Sequence, residues 1–319
     1  MITESTTRIK TSKNVFYNPV MKLNRDISVI LLNALGRKMT IADIMAATGV
    51  RSIRFLKEVK GAKVFINDNS KGAVKLIKSN LKLNKVKAAV SNEEASLFLL
   101  KSKGFDYIDI DPFGTPNPFL DSAVKKLARE GILAVTSTDP AALTGTYPNS
   151  CRRKYWAEPL HNHLMHEAAL RILIRKIQLI GAQYDKALIP IFSFSKEHYL
   201  RVFLKNEKGK KKVDEVLKKH GMFEKAGPMW LGNLWDPKLT EKMLDFSSYD
   251  TRKFLEMINE EAKVDAVGFF SIHSLCKKLK RSQTPKIDEV IENIRKKGYK
   301  ASRTHFLGDG VRTNSPNIL

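Results

Sequence analysis

The chain has 319 residues, enough for a sizeable core in one large domain with a smaller companion. Lys and Arg number 56 against 33 Asp and Glu, a formal net charge of +23, and such a one-sided excess points to a polyanionic partner, nucleic acid before an anionic membrane surface. With 43% apolar residues, no apolar run long enough for a membrane span, no signal-peptide segment in MITESTTRIK and only Cys151 and Cys276, neither a membrane protein nor a disulfide scaffold is expected, and a cytoplasmic location is.

From residue 39 onward, short apolar runs alternate with helical periods. Residues 39–45 read as a strand, 50–59 as a helix, 62–68 as a strand and 71–84 as a helix with Val74, Ile77 and Leu81 on its apolar face. A short strand at 88–92 and a helix at 93–103 follow. Residues 105–111 are a strand, 117–130 a helix, 131–138 a strand and 163–182 a long amphipathic helix. Runs at 186–195 and 199–207, separated by only a few residues, read as an antiparallel strand pair. The alternation predicts an α/β fold with a doubly wound, mostly parallel sheet. Beyond the lysine run at 208–212, residues 227–236 read as an irregular connector. Helices at 251–262, 270–280 and 286–298 and a hairpin-like wing at 299–316 form a smaller α+β domain. The expected division is 1–209 and 210–319, with 210–238 as connector.

Three acids fall at C-terminal strand edges, where open α/β sheets bind ligands: Asp43, Asp68 and Asp111. The turn after the first strand of the sheet, residues 43–49, lacks the G-x-G-x-x-G cradle of a dinucleotide site, although Ala46, Ala47 and Gly49 are small enough for a ligand to approach. Asp68 has the spacing of an acid that accepts two ribose hydroxyls, and turn capping is its alternative role. Glu94 falls near the same edge. Asp111, Pro112, Phe113 and Gly114 put an acid, an imide carbonyl and an aromatic ring together where a strand stops, and the tetrad is similar to the Asp/Asn-Pro-Pro-Tyr/Phe of nucleobase amino-methyltransferases. A strand followed by a proline turn is the plainer reading. His161, His163 and His166 lack an acid or cysteine to complete a metal site, and no metal is expected.

Taken together, FYNPVMKLNRD at 16–26, DIMAATGVRSIRF at 43–55, DIDPFGTPNPFLDSA at 109–123 and the block from 135 to 174 resemble the archaeal and eukaryotic tRNA (guanine(26)-N2)-dimethyltransferases over nearly the whole chain. The resemblance implies a Rossmann-like, S-adenosylmethionine-dependent methyltransferase domain and a C-terminal tRNA-binding domain. It implies transfer of one or two methyl groups to the exocyclic N2 of guanine 26 of tRNA. It places Arg25 and Arg51 at the cofactor's carboxylate end, Asp68 at its ribose and Glu94 and Ala95 beside its adenine. Asp43 belongs to the same cofactor site, and Asp111, Pro112 and Phe113 face the guanine. The chain departs from the pattern in lacking a four-cysteine zinc site and in carrying Glu94 where aspartate is usual. Arg152, Arg153 and Lys154 beside Tyr155 and Trp156, with Lys277, Lys278, Lys296, Lys297, Lys300 and Arg303, are expected to contact RNA. A monomer is expected. The other readings are an amino-methyltransferase of rRNA or DNA bases and a non-catalytic RNA-binding protein.

Overall fold

A computed structural model describes residues 1–281 and 283–316. They divide into two compact units: Met1–Thr138 with Gln178–Ile189 and Phe203–Asp214, and Asp139–Ile177 with Pro190–Val202 and Glu215–Leu319.

The first unit opens with a hairpin, β1 (Ile2–Glu4) and β2 (Thr7–Ile9), and a helix α1 (Lys22–Leu35), none of which the sequence patterns above announced. Then come β3 (Met39–Asp43), α2 (Val50–Glu58), β4 (Ala62–Asn67), α3 (Lys71–Leu83), β5 (Ala89–Ser91), α4 (Ala95–Lys101), β6 (Phe105–Ile110), α5 (Asn117–Lys126) and β7 (Leu127–Ser137). The chain continues through α6 (Pro140–Leu143), α7 (Pro148–Tyr155) and α8 (Met165–Ala182) to β8 (Lys186–Lys196) and β9 (Tyr199–Lys208). One seven-stranded sheet has the order β5-β4-β3-β6-β7-β9-β8. The pairs β3/β4, β4/β5, β3/β6 and β6/β7 are parallel. Two residues join β8 to β9, a connection that only an antiparallel pair allows. This is the doubly wound sheet closing in a hairpin that the alternation predicted. Its central strands are buried along nearly their whole length, as strands covered on both faces must be.

The order reverses between β3 and β6, so their C-terminal ends frame a crevice. Asp43 ends β3 and lies in register with Asp109 of β6. Two residues in the left-handed region shape the loop after β3: Ala47 at φ 49° and Gly49 at φ 76°. A non-glycine residue in the left-handed region costs of order 1–3 kcal/mol and persists only where its surroundings hold it. Here the Ala47 N–H donates to Asp68 Oδ2 at 2.8 Å.

The helix expected at 117–130 ends at Lys126, and residues 127–130 open β7 instead. Leu127 pairs with Phe105, a register shift follows, and Glu130 takes φ 60°. A β-carbon on Gly131 would stand 2.8 Å from the Ala128 carbonyl. Leu127 continued the apolar face of α5, so periodicity ran on past the point where the backbone joins the sheet. A bulge, which no side-chain pattern encodes, makes the turn.

The lysine run leads into α9 (Lys210–Leu217), along which the chain passes from the first unit to the second. Next come β10 (His220–Phe223) and β11 (Ala226–Trp230), which pair antiparallel, so the expected irregular connector begins as a strand and only 231–236 are irregular. The remainder is α10 (Pro237–Leu244), α11 (Tyr249–Ala262), β12 (Phe270–Ser271), α12 (Ile272–Lys278), α13 (Ile287–Lys296), β13 (Ala301–Thr304) and β14 (Leu307–Thr313). The wing is the β13–β14 hairpin, extended by β12. Val290, Ile291 and Ile294 of α13 pack with Ile272, Cys276, Ala301 and Val311 into a small core.

A buried ion network ties this unit's distant segments. Arg312 reaches Glu167 Oε2 at 2.6 Å and Glu261 Oε1 at 3.1 Å, and donates to the Ala266 and Gly268 carbonyls. Arg171 pairs with Glu167 at 2.8 Å and donates to the carbonyls of Trp230 and Gly232. Burial would raise the Glu167 carboxyl, but Arg312 and then Arg171 bring it down to about 2. Its contribution is therefore present above the ordinary glutamate range and lost as pH falls toward 2. Removing one partner of such a network strands buried charge, at a cost of roughly 3–5 kcal/mol. Glu167→Gln should lower the urea midpoint of unfolding strongly at pH 7 and should lose less further stability than wild type between pH 5 and pH 3. A variant with an unchanged midpoint at neutral pH would show that the network contributes nothing net.

Candidate active site and RNA-facing cations

The crevice of the first unit is organised around Arg51, which the first turn of α2 carries inward. Its guanidinium is almost fully buried. Nη1 donates to Asn24 Oδ1 at 2.9 Å and Ser28 Oγ at 3.1 Å and lies 3.5 Å from Asp109 Oδ2. Nη2 pairs with Asp111 Oδ2. The Tyr107 hydroxyl donates to Asp109 at 2.7 Å, and Ser52 Oγ donates to Asp43 Oδ2 at 2.6 Å. Burial alone would lower the arginine's pKa, but Asp109 and then Asp111 hold it above the ordinary range. For Asp43, burial and then the charge on Asp109 push the carboxyl up to about 7, against the pull of Arg51 and the Ser52 hydrogen bond. One cation thus faces three carboxylates, and Asp43 keeps its proton toward neutrality.

The tetrad lies just past β6. The Asp111 side chain is about one-fifth exposed, and its Oδ2 faces Arg51. Phe113 is 75% exposed, an unusual position for a large ring, and its centroid stands 4.6 Å from that of Phe16 at an interplanar angle of 81°. This edge contact leaves a Phe113 face open to a flat partner. The Pro112 carbonyl accepts the Thr138 hydroxyl at 3.2 Å, so one of its two lone pairs is engaged.

At the cofactor end, Asp68 follows β4 and accepts from the Ala47 and Ser70 amides at 2.8 and 2.9 Å. Both the turn-capping and the ligand-facing readings of this acid thus refer to the same place in the fold. Glu94 is the exposed N-cap of α4, accepting from the Leu97 amide at 2.9 Å, and Ala95 is buried directly after it. Arg25 is held elsewhere. It makes a two-pronged contact with Glu4, at 2.8 and 2.6 Å, and donates to the Asn18 carbonyl at 3.1 Å. Arg54 shares Glu4 and reaches Asp26 at 2.6 Å. Sequence reading brought out Asp43, Arg51, Asp68 and Asp111 but passed over Asn24, Ser28, Asp109, Thr138 and Phe16. The signal for Asn24 and Phe16 was their place in the block around Arg25, and for Thr138 its place in the block from 135 to 174; Asp109 alternates with Asp111 on one strand.

In the second unit the RNA-facing candidates are all exposed. Arg152 is paired with Glu158, Lys154 with Asp139 at 3.5 Å, Lys296 with Glu292 at 2.9 Å, and Arg303 forks onto Asp288 at 2.8 Å. Arg153, Lys277, Lys278, Lys297 and Lys300 have no ion pair among the described residues. His161 meets the Thr144 carbonyl at 3.0 Å and His163 packs edge-on against Phe269, so the histidines go separate ways.

The raised Asp43 carboxyl also acts on stability. The folded chain keeps this proton up to about pH 7, whereas the unfolded chain releases it near 3.8. Stability therefore falls as pH rises between these values, by at most about 1.4 kcal/mol per pH unit from this group. In the protein without ligand, Asp43→Asn should flatten the pH dependence of the urea midpoint between pH 5 and pH 7. Equal slopes in the two proteins would mean that Asp43 ionises as an ordinary carboxyl.

The chain is similar to known proteins along nearly its whole length. It is 39% identical to the tRNA (guanine(26)-N(2)/guanine(27)-N(2))-dimethyltransferase of Aquifex aeolicus over 94% of this chain and 87% of that one. It is 38% identical to the tRNA (guanine(26)-N(2))-dimethyltransferase of Pyrococcus horikoshii over 95% of this chain and 90% of that one. The structure of Trm1 from Pyrococcus horikoshii in complex with S-adenosyl-L-methionine superposes with a TM-score of 0.91, at 37% identity, over 99% of this chain and 96% of that one. The family model described as N2,N2-dimethylguanosine tRNA methyltransferase matches residues 1–226 and 221–318. The chain belongs to the N2,N2-dimethylguanosine tRNA methyltransferase family.

Proposed function

We propose that this protein transfers one or two methyl groups from S-adenosylmethionine to the exocyclic N2 of guanine 26 in tRNA. The observation that carries this reading is the Asp111 carboxylate, set at the sheet's switch point with Oδ2 on Arg51 and standing next to an exposed Phe113. The relatives that match along most of the chain are named for tRNA guanine, which sets aside the readings as an rRNA or DNA enzyme and as a non-catalytic binder.

The donor groups suit this cofactor. Asp68 offers a carboxylate to a diol at the end of β4, Arg51 brings a cation to the crevice, and Glu94 and Ala95 border the next strand edge, whereas Arg25 is taken up by Glu4. S-adenosylmethionine supplies a sulfonium-bound methyl; as the guanine lone pair forms the N–C bond, the C–S bond breaks with its electrons on sulfur, leaving a thioether. The amino group of guanine is a poor nucleophile because its lone pair is delocalised into the ring, so the chain's task is orientation and charge stabilisation. Asp111 accepts one N–H through Oδ1 while Arg51 holds Oδ2, which stabilises the positive charge growing on nitrogen and provides a base for the departing proton. The Pro112 carbonyl accepts the other N–H on its remaining lone pair. Phe113 stacks the base, offsetting part of the cost of drawing it out of folded tRNA. On this reading residues 1–209 act as the transferase and 210–319 as the tRNA grip, and the working form is a cytoplasmic monomer. Among the described residues no helix is long and apolar enough to cross a membrane.

Two variants separate the two ends of the site. Asp111→Asn should lower the rate of methyl transfer to tRNA by about a hundredfold or more while cofactor affinity stays near wild type. Asp68→Ala should weaken cofactor binding by about 1–3 kcal/mol. Calorimetry and labelled-methyl assays check both, and an equal cofactor defect in the two variants would refute the assignment.

Cations without an acidic partner have the most to gain from a phosphate, since each phosphate they neutralise releases condensed counterions. Lys277, Lys297 and Lys300 changed together to Glu should weaken tRNA binding and flatten its salt dependence, the slope falling by about one for each phosphate no longer held. Cofactor affinity should not move. Superimposable salt slopes would place the RNA elsewhere, with the Arg152–Trp156 segment the next surface to test.

A further inference from the structure

The loop that carries the tetrad is held by the residue that follows the neighbouring strand. Thr138 directly follows β7, and β7 runs parallel to β6 with Val135 in register with Ile110. Its hydroxyl donates to the Pro112 carbonyl at 3.2 Å and accepts from the Gly114 amide at 2.7 Å. Its own amide donates to the Gly114 carbonyl at 3.1 Å. Gly114 sits at φ 80°, so the chain reverses sharply there, and the hydroxyl spans the reversal from both sides. Two residues earlier on the same strand, Thr136 accepts from the Asn24 side chain at 3.3 Å, Asn24 accepts from Arg51, and Arg51 holds Asp111. The end of β7 thus supports both acceptors of the tetrad by separate routes: the Asp111 carboxylate through Thr136, Asn24 and Arg51, and the Pro112 carbonyl through Thr138.

We propose that Thr138 is a positioning residue that fixes the direction of the Pro112 carbonyl and thereby serves the first methyl transfer selectively over the second; this rests on the guanine-N2 reading above. The selectivity comes from the number of protons on the substrate nitrogen. Unmodified guanine presents two N–H groups on N2, and turning its lone pair out of conjugation toward the methyl group requires both to be held. Asp111 takes one and the Pro112 carbonyl takes the other. Monomethylated guanine keeps a single N–H, which goes to Asp111, and the Pro112 carbonyl then has no proton to accept. In each transfer one N–C bond forms, one C–S bond breaks with its pair on sulfur, and one N2 proton leaves. Apart from the methyl group that the second transfer must accommodate, the two transfers differ at the substrate in whether the carbonyl that Thr138 orients is engaged.

The test compares single-turnover methylation of two tRNAs by the full chain, one with unmodified guanine at position 26 and one carrying N2-monomethylguanine there. Thr138→Val keeps the side chain's shape and removes the hydroxyl. It should slow the first transfer about 10- to 100-fold, the range for loss of one orienting hydrogen bond. The second transfer should stay within about threefold of wild type, and KM for tRNA and cofactor should be unchanged, on the same reasoning. Thr138→Ala, which adds no bulk, should give the same split, and Thr138→Ser should restore the first transfer. In a reaction started from unmodified tRNA, the valine variant should accumulate no monomethyl intermediate. An equal loss in both transfers, no loss in either, or a serine variant as slow as the valine variant would overturn the proposal. A wild type that methylates neither tRNA would instead overturn the substrate reading itself, and the two failures are distinguished by that control.

Discussion

The first unit depends on one buried guanidinium. Arg51 lies at the reversal of strand order with Asp109 and Asp111 as its ion partners and Asp43 within its field. In a medium of low polarity three carboxylates so close together could not all ionise without it, and even with it Asp43 holds its proton toward neutrality. This arrangement also restricts the geometry. Arg51 is tethered through Asn24 and Ser28 of α1, so the helix that precedes the sheet is tied to the crevice by the same group that orients the tetrad acid. A carboxylate that must accept a proton from a weak nucleophile benefits from being held on one oxygen and open on the other.

The second unit answers a similar problem in the opposite sense. Its buried network is closed: Arg312 and Arg171 are satisfied by Glu167, Glu261 and backbone carbonyls, and the carboxyl of Glu167 is driven far below its ordinary range. Such a network holds segments far apart in sequence, α8, α11 and β14, in one arrangement. The charges on the surface are unlike those in the interior. Several basic side chains are matched by neighbouring acids, while others on the same unit have no acidic partner among the described residues.

Much of the architecture was legible because strand and helix periods differ. The runs at 39–45, 62–68 and 105–111 became β3, β4 and β6, and the acids at their ends could be placed at one edge from the pattern alone. The failures share a cause. At 127–130 the apolar face of a helix and the first residues of a strand use the same side chains, and a bulge decides between them. At 227–230 proline and glycine suggested irregular chain, yet the segment pairs with β10. Pairing is a property of two segments, and a pattern read along one of them cannot report it.

The same division applies to the site. The sequence by itself determined which acids sit at strand edges, that an aromatic follows Asp111, and that the chain carries an excess of cations, because these follow from residue identity and local period alone. Only the tertiary structure decided which cation each acid meets. Arg25 and Arg51 read alike as sequence, yet one is taken up by Glu4 and the other by Asp111. Thr138, one hydroxyl in a run of ordinary strand residues, acquires its role because parallel pairing brings the end of β7 beside the tetrad. Ion pairs and hydrogen bonds form over a few ångströms in space, between residues that the chain separates by dozens of positions, so their choice of partner is settled only when the sheet closes.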